Sequence, residues 1–201
     1  MKDKNIELEK GTWERFLDTM SEIANQIISN SEQLEQKSLF ALIKAILRIH
    51  KAGNRVFIYG AGRSGFVGRC FAQRLMHLGI KSCFVSDAVT HQYKQHDLLI
   101  LISGSGETTS PVAIAQKANE IGGEIALITG NPNSTIGQLS DYCVKVEGKS
   151  KDKAVSEHTL APYTSLFDIS TLSVLDSIGG VLMDLLNVTE EDIDNRHASI
   201  E

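Results

Sequence analysis

Hydrophobic residues along this chain change their period several times, and each change marks a new element. Trp13, Phe16, Leu17, Met20, Ile23, Ala24, Ile27 and Ile28 recur every three or four residues, the spacing of one helix face. Ser29 followed by Glu32 offers a capping box. Leu34, Leu39, Leu42, Ile43, Ile46 and Leu47 then form the stripe of a second helix. The two are expected as a hairpin that covers one sheet face or meets another subunit.

From residue 55 the apolar runs shorten. "RVFIYG", "KSCFVS", "DLLILIS", "EIALIT" and "YCVKVE" are five predicted strands bounded by glycine or polar residues. "DLLILIS" is apolar without alternation, as a strand covered on both faces should be. Helical patterns separate the strands: Ser64 to about Leu78 with Gly79 as a stop, Ser110 to Ile121 ended by Gly122-Gly123, and Ser134 to Leu139. "GKSKDKAVSEHT" is a polar loop. A long apolar helix over 164–186 and a short one from Thr189, with Asp192 completing a capping box, close the chain. Strands alternating with helices predict a doubly wound α/β fold on a parallel sheet. The organisation expected is one domain over residues 1–201: a helical hairpin at 1–50, a parallel-sheet core at 51–150 and C-terminal helices at 164–201. Right-handed crossovers place all strand C-termini on one edge, where ligands bind. The glycine-rich loops 60–65 and 103–108 both follow strand ends, so they are expected side by side.

Size and charge narrow the function. The chain has 201 residues, enough for one domain with a substantial core. A net charge of −5 argues against nucleic acid as the main partner. Small anions are still admissible, because local backbone dipoles can outweigh the global charge. Cys70, Cys83 and Cys143 form no CxxC pair and are expected as reduced core thiols of a cytoplasmic protein. The charged start "MKDKNIELEK" carries no signal-peptide pattern. Residues 164–186 are apolar enough to raise a membrane span. Asp168, Asp176 and Asp184 would each be costly in a bilayer, so a buried helix of a soluble protein is expected instead.

"GAGRSG" matches GxGxxG at Gly60, Gly62 and Gly65 between a predicted strand and helix. Asp87 falls where the ribose-binding acid of a dinucleotide fold would stand. A dinucleotide-dependent oxidoreductase is therefore one reading, although the chain leaves little room for a substrate domain. The second loop, in "LLILISGSGETTSPVAIAQKA", favours a different ligand. Ser103, Ser105, Thr108 and Thr109 offer hydroxyls, and Gly104 and Gly106 let backbone N–H groups approach closely. A helix N-terminus follows, with Pro111 in its first turn. Such a site holds a phosphate without lysine, and no GK[ST] of a nucleotide hydrolase is present. Ser64 and Thr90 are further hydroxyl partners, and Arg63 either faces the phosphate or pairs with a neighbouring subunit.

"GAGRSGFVGRCFAQRLMHLG", the "ISGSGET" loop and the ending "RHASIE" together resemble the 6-phospho-3-hexuloisomerase family within the sugar isomerase (SIS) domain superfamily, over roughly residues 30–201. The resemblance implies a three-layer α/β/α sandwich with a five-stranded parallel sheet. It also implies a homotetramer with sites near subunit interfaces, no metal or organic cofactor, and interconversion of 3-hexulose 6-phosphate and fructose 6-phosphate through a cis-enediol. His197 is the first candidate proton carrier, and the resemblance implies that it reaches a neighbouring subunit's pocket. Asp168 falls where the family has a glutamate after Phe, one methylene longer. Either the pocket closes by about 1.5 Å to compensate, or this carboxylate is not the base. The family's Gly-Glu-Thr-x-Thr-Pro is here Ser86-Asp87-Ala88-Val89-Thr90-His91, which leaves open an isomerase of another sugar phosphate. Glu107 is the alternative base. A non-catalytic phosphosugar sensor is the alternative function, and a melting assay with fructose 6-phosphate against NAD would separate sugar phosphate from dinucleotide.

Overall fold

The computed structural model describes residues 10–148 and 159–199. The predicted polar loop at 148–159 lies almost wholly outside the described residues, as do the first nine and last two positions. The order of elements is α1 (Lys10–Gln33), α2 (Gln36–Lys51), β1 (Val56–Gly60), α3 (Gly62–His77), β2 (Ser82–Phe84), β3 (Leu98–Ile102), α4 (Thr109–Ile121), β4 (Glu124–Thr129), α5 (Thr135–Leu139), β5 (Tyr142–Lys145), α6 (Ser165–Leu185) and α7 (Glu190–Asp194). The strands form one parallel sheet in the order β2-β1-β3-β4-β5.

Strand β3 shows why the sheet is covered twice. All five of its residues are buried. Leu98, Ile100 and Ile102 point into a core built with α2, α3 and α6. Leu99 and Leu101 point into a second core with Ala115 and Ala118 of α4 and Ile136 of α5. Opposite faces of a strand take alternate residues, so a continuous apolar run is the signature of a three-layer α/β/α sandwich. Each such leucine or isoleucine contributes about 1.5–3 kcal/mol on burial.

The N-terminal helices depart from the expected hairpin. α2 lies on the sheet with Leu42, Ile43, Ile46 and Ile49 buried. α1 does not fold back on α2 but packs along α6. The Ser29/Glu32 capping signal is overruled, because α1 runs on through Gln33. Nothing between 29 and 33 breaks a helix, and Asn30 pins the end of α1 to the end of β5. Its side-chain amide donates to Glu147 O at 2.8 Å, and its oxygen accepts from Glu147 N at 2.7 Å.

α6 is long and apolar enough to cross a membrane by composition. Here it packs on α3 and α1 as a core helix. The thiols are free, but they are not the core residues expected: Cys70 is exposed on α3, and Cys83 and Cys143 are half-buried. Both half-buried cysteines pack at the margin of the second core. Burial pushes the Cys143 thiol above its ordinary pKa.

Candidate active site

Strand order reverses between β1 and β3, and in a doubly wound sheet the crevice at that switch point is where ligands sit. The two glycine-rich loops leave these two adjacent strands, as the sequence predicts. They line a cavity of about 280 Å³ together with the start of α6.

The first loop is shaped by close backbone approach. A Cβ on Gly60 would lie 2.7 Å from Ser64 O, and one on Gly65 would lie 2.7 Å from Gly60 O. These two glycines serve strand-to-helix packing, whatever ligand is bound. Ala61 is the N-cap of α3 and has no side chain to cap it.

In the second loop Gly106 holds φ +68° against the Ser134 side chain. Two hydroxyl oxygens accept inside the loop, Ser103 Oγ from Gly106 N at 3.1 Å and Ser105 Oγ from Glu107 N at 3.2 Å, which fixes both while their O–H groups can still donate. Thr108 stands at the N-cap of α4 without capping it. Among the described residues no acceptor meets the N–H groups of Ser105, Thr108, Thr109 or Ser110.

The third wall is the start of α6. Thr164 is its N-cap at φ 64°, and its hydroxyl also leaves the helix end uncapped, donating instead to Asp168 Oδ2 at 2.7 Å. Three helix N-termini thus converge on one cavity, none capped by its own N-cap side chain. Each carries unpaired N–H groups and a partial positive charge. Three such ends at one cavity have the electrostatics that suit an anion, and Arg63, which lines the same cavity, adds a full positive charge. Phe167 floors the cavity beneath Gly104, where a Cβ would come within 3.3 Å of its ring.

The other predicted residues divide. Ser64, Ser103, Gly104, Ser105, Thr108, Arg63 and Asp168 line the cavity. Gly106 shapes its loop, and Thr109 lies exposed one residue beyond the lining. Thr90 does not reach the cavity: it sits beside Cys83, Oγ1 to Sγ 3.7 Å, in an apolar cleft under α4. The cause is the early end of β2 at Phe84, after which the chain turns away. Asp87 is not free for a ribose, being paired with Arg69. Glu107 faces α5, accepting from Thr135 N and Thr135 Oγ1, both at 2.7 Å. These bonds hold its carboxyl below the ordinary glutamate value.

His197 lies in a different cavity of its own chain. The Thr189–Asp192 capping box forms as predicted and starts α7. Arg196 Nη1 donates to His77 O at 2.9 Å, and the His197 ring stacks on His77 beside Cys70 and Asp176. Ser64 and His77 lie thirteen residues apart on α3, about 20 Å along its axis.

Tyr163, Thr164 and Phe167 were not legible as site residues, although Ser165-x-x-Asp168 is a helix-start pattern that marks their position. Among the described residues no three His, Cys, Asp or Glu side chains gather as a metal group.

Comparison with known proteins identifies the family. Residues 48–173 match the family model of the SIS domain. The chain is 38% identical, over 82% of its length and 85% of the relative's, to 3-hexulose-6-phosphate isomerase of Methanocaldococcus jannaschii. It is 33% identical, over 90% of its length and 97% of the relative's, to 3-hexulose-6-phosphate isomerase of Bacillus subtilis. A crystal structure from Methanococcus jannaschii, whose molecular function was inferred as 3-hexulose-6-phosphate isomerase, superposes with a TM-score of 0.76 at 35% identity, covering 90% of this chain and 98% of that one. A five-stranded parallel sheet, a site at its switch point and relatives of this kind along most of its length make the chain a member of the SIS domain family, within its 3-hexulose-6-phosphate isomerase branch.

Proposed function

We propose that the protein is a ketol isomerase that interconverts 3-hexulose 6-phosphate and fructose 6-phosphate. The observation that carries this reading is the convergence of three uncapped helix N-termini and Arg63 on one cavity. A phosphate monoester is the anion such a cavity suits, and it fixes the sugar so that binding energy orients the reacting carbons.

Moving the carbonyl from C3 to C2 takes a proton from C2 and returns one to C3 through a cis-enediolate, while the C2 hydroxyl proton passes to the C3 oxygen, with no net change in atoms or oxidation state. N–H groups of the second loop and the Arg63 guanidinium stabilise negative charge on the ligand. A proton carrier near C2 and C3 acts first as base and then as acid. His197 is assigned that role from a second copy of the chain, because in its own chain it lies at the far end of α3. Such an assignment fits the homotetramer with sites near subunit interfaces that the family resemblance implies. Three free thiols fit the reducing cytoplasm.

The test is turnover of 3-hexulose 6-phosphate, read by coupling the fructose 6-phosphate formed to NADP reduction through glucose-6-phosphate isomerase and dehydrogenase. Turnover is the expected result. Stabilisation by fructose 6-phosphate without turnover of any ketose phosphate would instead make the protein a sensor.

A further inference from the structure

We infer that Asp168, together with Thr164, is a positioning residue that fixes the plane of the Arg63 guanidinium over the cavity, and is not the group that moves the proton. The kinetic part of this inference rests on the isomerase reading above; the binding part does not.

The carboxylate of Asp168 is the most enclosed charge at the site, with a side chain 3% exposed against 59% for Arg63. It accepts from three donors on three sides. Ser64 Oγ donates to Oδ1 at 2.8 Å, Thr164 Oγ1 donates to Oδ2 at 2.7 Å, and Arg63 Nε donates to Oδ2 at 3.2 Å. A carboxylate offers about four acceptor positions, so three are filled before any ligand arrives. One acceptor position, on Oδ1 beside the Ser64 hydroxyl, is all that is left for a proton from carbon. The side chain is also one methylene shorter than glutamate, and it ends under Arg63 instead of projecting past it.

The partner geometry gives the carboxylate a different task. Binding through Nε leaves the Nη1–Nη2 edge of Arg63 without a hydrogen bond among the described residues. That edge is a planar fork matched to two oxygens of one ligand group. Asp168 holds the guanidinium by its inner side, so the outer fork is presented in one orientation. Thr164 holds Asp168 in turn, through its hydroxyl and through its carbonyl, which accepts from Asp168 N at 2.9 Å. Thr164 does this at φ 64°, a conformation that β-branched residues avoid. The carbonyl bond is the first turn of α6, but the hydroxyl is turned from capping the helix to the buried carboxylate, and a strained backbone at a cavity wall with its side chain so engaged points to a role in the site.

The experiment compares the full-length protein with Asp168→Asn, Thr164→Ala and Thr164→Ser. Affinity for fructose 6-phosphate is measured by calorimetry, and kcat and KM for 3-hexulose 6-phosphate across pH. Asp168→Asn is expected to weaken fructose 6-phosphate binding about tenfold, the loss of one charge-assisted contact. It should lower kcat/KM mainly through KM and keep the acid limb of the pH profile. Thr164→Ala should move the same quantities in the same direction, and Thr164→Ser, which keeps the hydroxyl, should restore them. Loss of the acid limb in Asp168→Asn with fructose 6-phosphate binding unchanged would make Asp168 the base and overturn the inference. Wild-type affinity in both Asp168→Asn and Thr164→Ala would overturn it as well. If Asp168→Asn does not fold, the Thr164 pair decides alone. If the wild-type protein turns over no hexulose phosphate, the isomerase reading fails while the calorimetric comparison still decides the positioning role.

Discussion

His197 stacks on His77 with ring centroids 4.7 Å apart and planes inclined by 23°. The stack sits at the end of α3, and the first turn of that same helix carries Ser64 into the ligand cavity. One rigid helix therefore separates the C-terminal imidazole from its own chain's cavity, and a catalytic His197 has to serve a neighbour.

This relationship predicts shared sites. His197→Ala should lower turnover about 100-fold or more, the usual contribution of a general acid–base group, and leave fructose 6-phosphate binding near wild type. Arg63→Ala should abolish activity by the other route. Mixed oligomers of the two variants should regain part of the turnover, because a site combining wild-type Arg63 from one subunit with wild-type His197 from another is intact. Absence of recovery in oligomers shown to be mixed would mean that no site is shared.

The second loop should tolerate no side chain at Gly106. Its φ of +68° and the adjacent Ser134 side chain leave no room for a Cβ. Gly106→Ala should cost about 1–3 kcal/mol, a fall in Tm of about 2–12 °C in a chain of this size, and weaken phosphate binding. A thermal melt with and without fructose 6-phosphate checks both, and an unchanged ligand-induced shift would detach this loop from binding.

Glu107 is expected to show itself in acid stability. Its carboxyl titrates below the ordinary 4.5 because Thr135 donates to it from both side chain and backbone. A folded-state pKa below the unfolded one adds stability that is complete above the unfolded value and is lost as pH falls through the folded value. Wild type should therefore melt above Glu107→Gln at neutral pH, with the gap closing as the medium is acidified below the carboxylate range. A gap that stays constant with pH would show that the bonds to Thr135 carry no linkage.

α1 presents an apolar row left exposed among the described residues: Trp13 is 61% exposed, Met20 55%, and the rings of Trp13 and Phe16 stack on each other at 5.4 Å. Apolar patches of this kind mark association surfaces. Wild type is expected to sediment as the proposed oligomer, and replacing Trp13 and Met20 together by glutamate should give a smaller species with the far-ultraviolet dichroism unchanged. An unaltered mass would place the subunit contacts elsewhere.

Several features were legible in the sequence by itself because their causes are local. Apolar period fixed the five strands and the long helices, and glycine and N-cap signals placed most boundaries within two residues. The α/β alternation then put loops 60–65 and 103–108 on one edge of the sheet. Where local signals competed with distant contacts, the distant contacts prevailed: Asn30 reaching Glu147 carried α1 through the Ser29 capping pattern. Only the tertiary structure brought the start of α6 into the cavity and set Asp168 under Arg63, residues 105 positions apart. It alone separated hydroxyls that look alike in the sequence, with Ser103 and Ser105 bonding their own loop, Ser64 and Thr164 holding a carboxylate and Thr90 turned away. Periodicity records which face of an element is buried, but a side chain's partner depends on which other elements the fold stacks beside it.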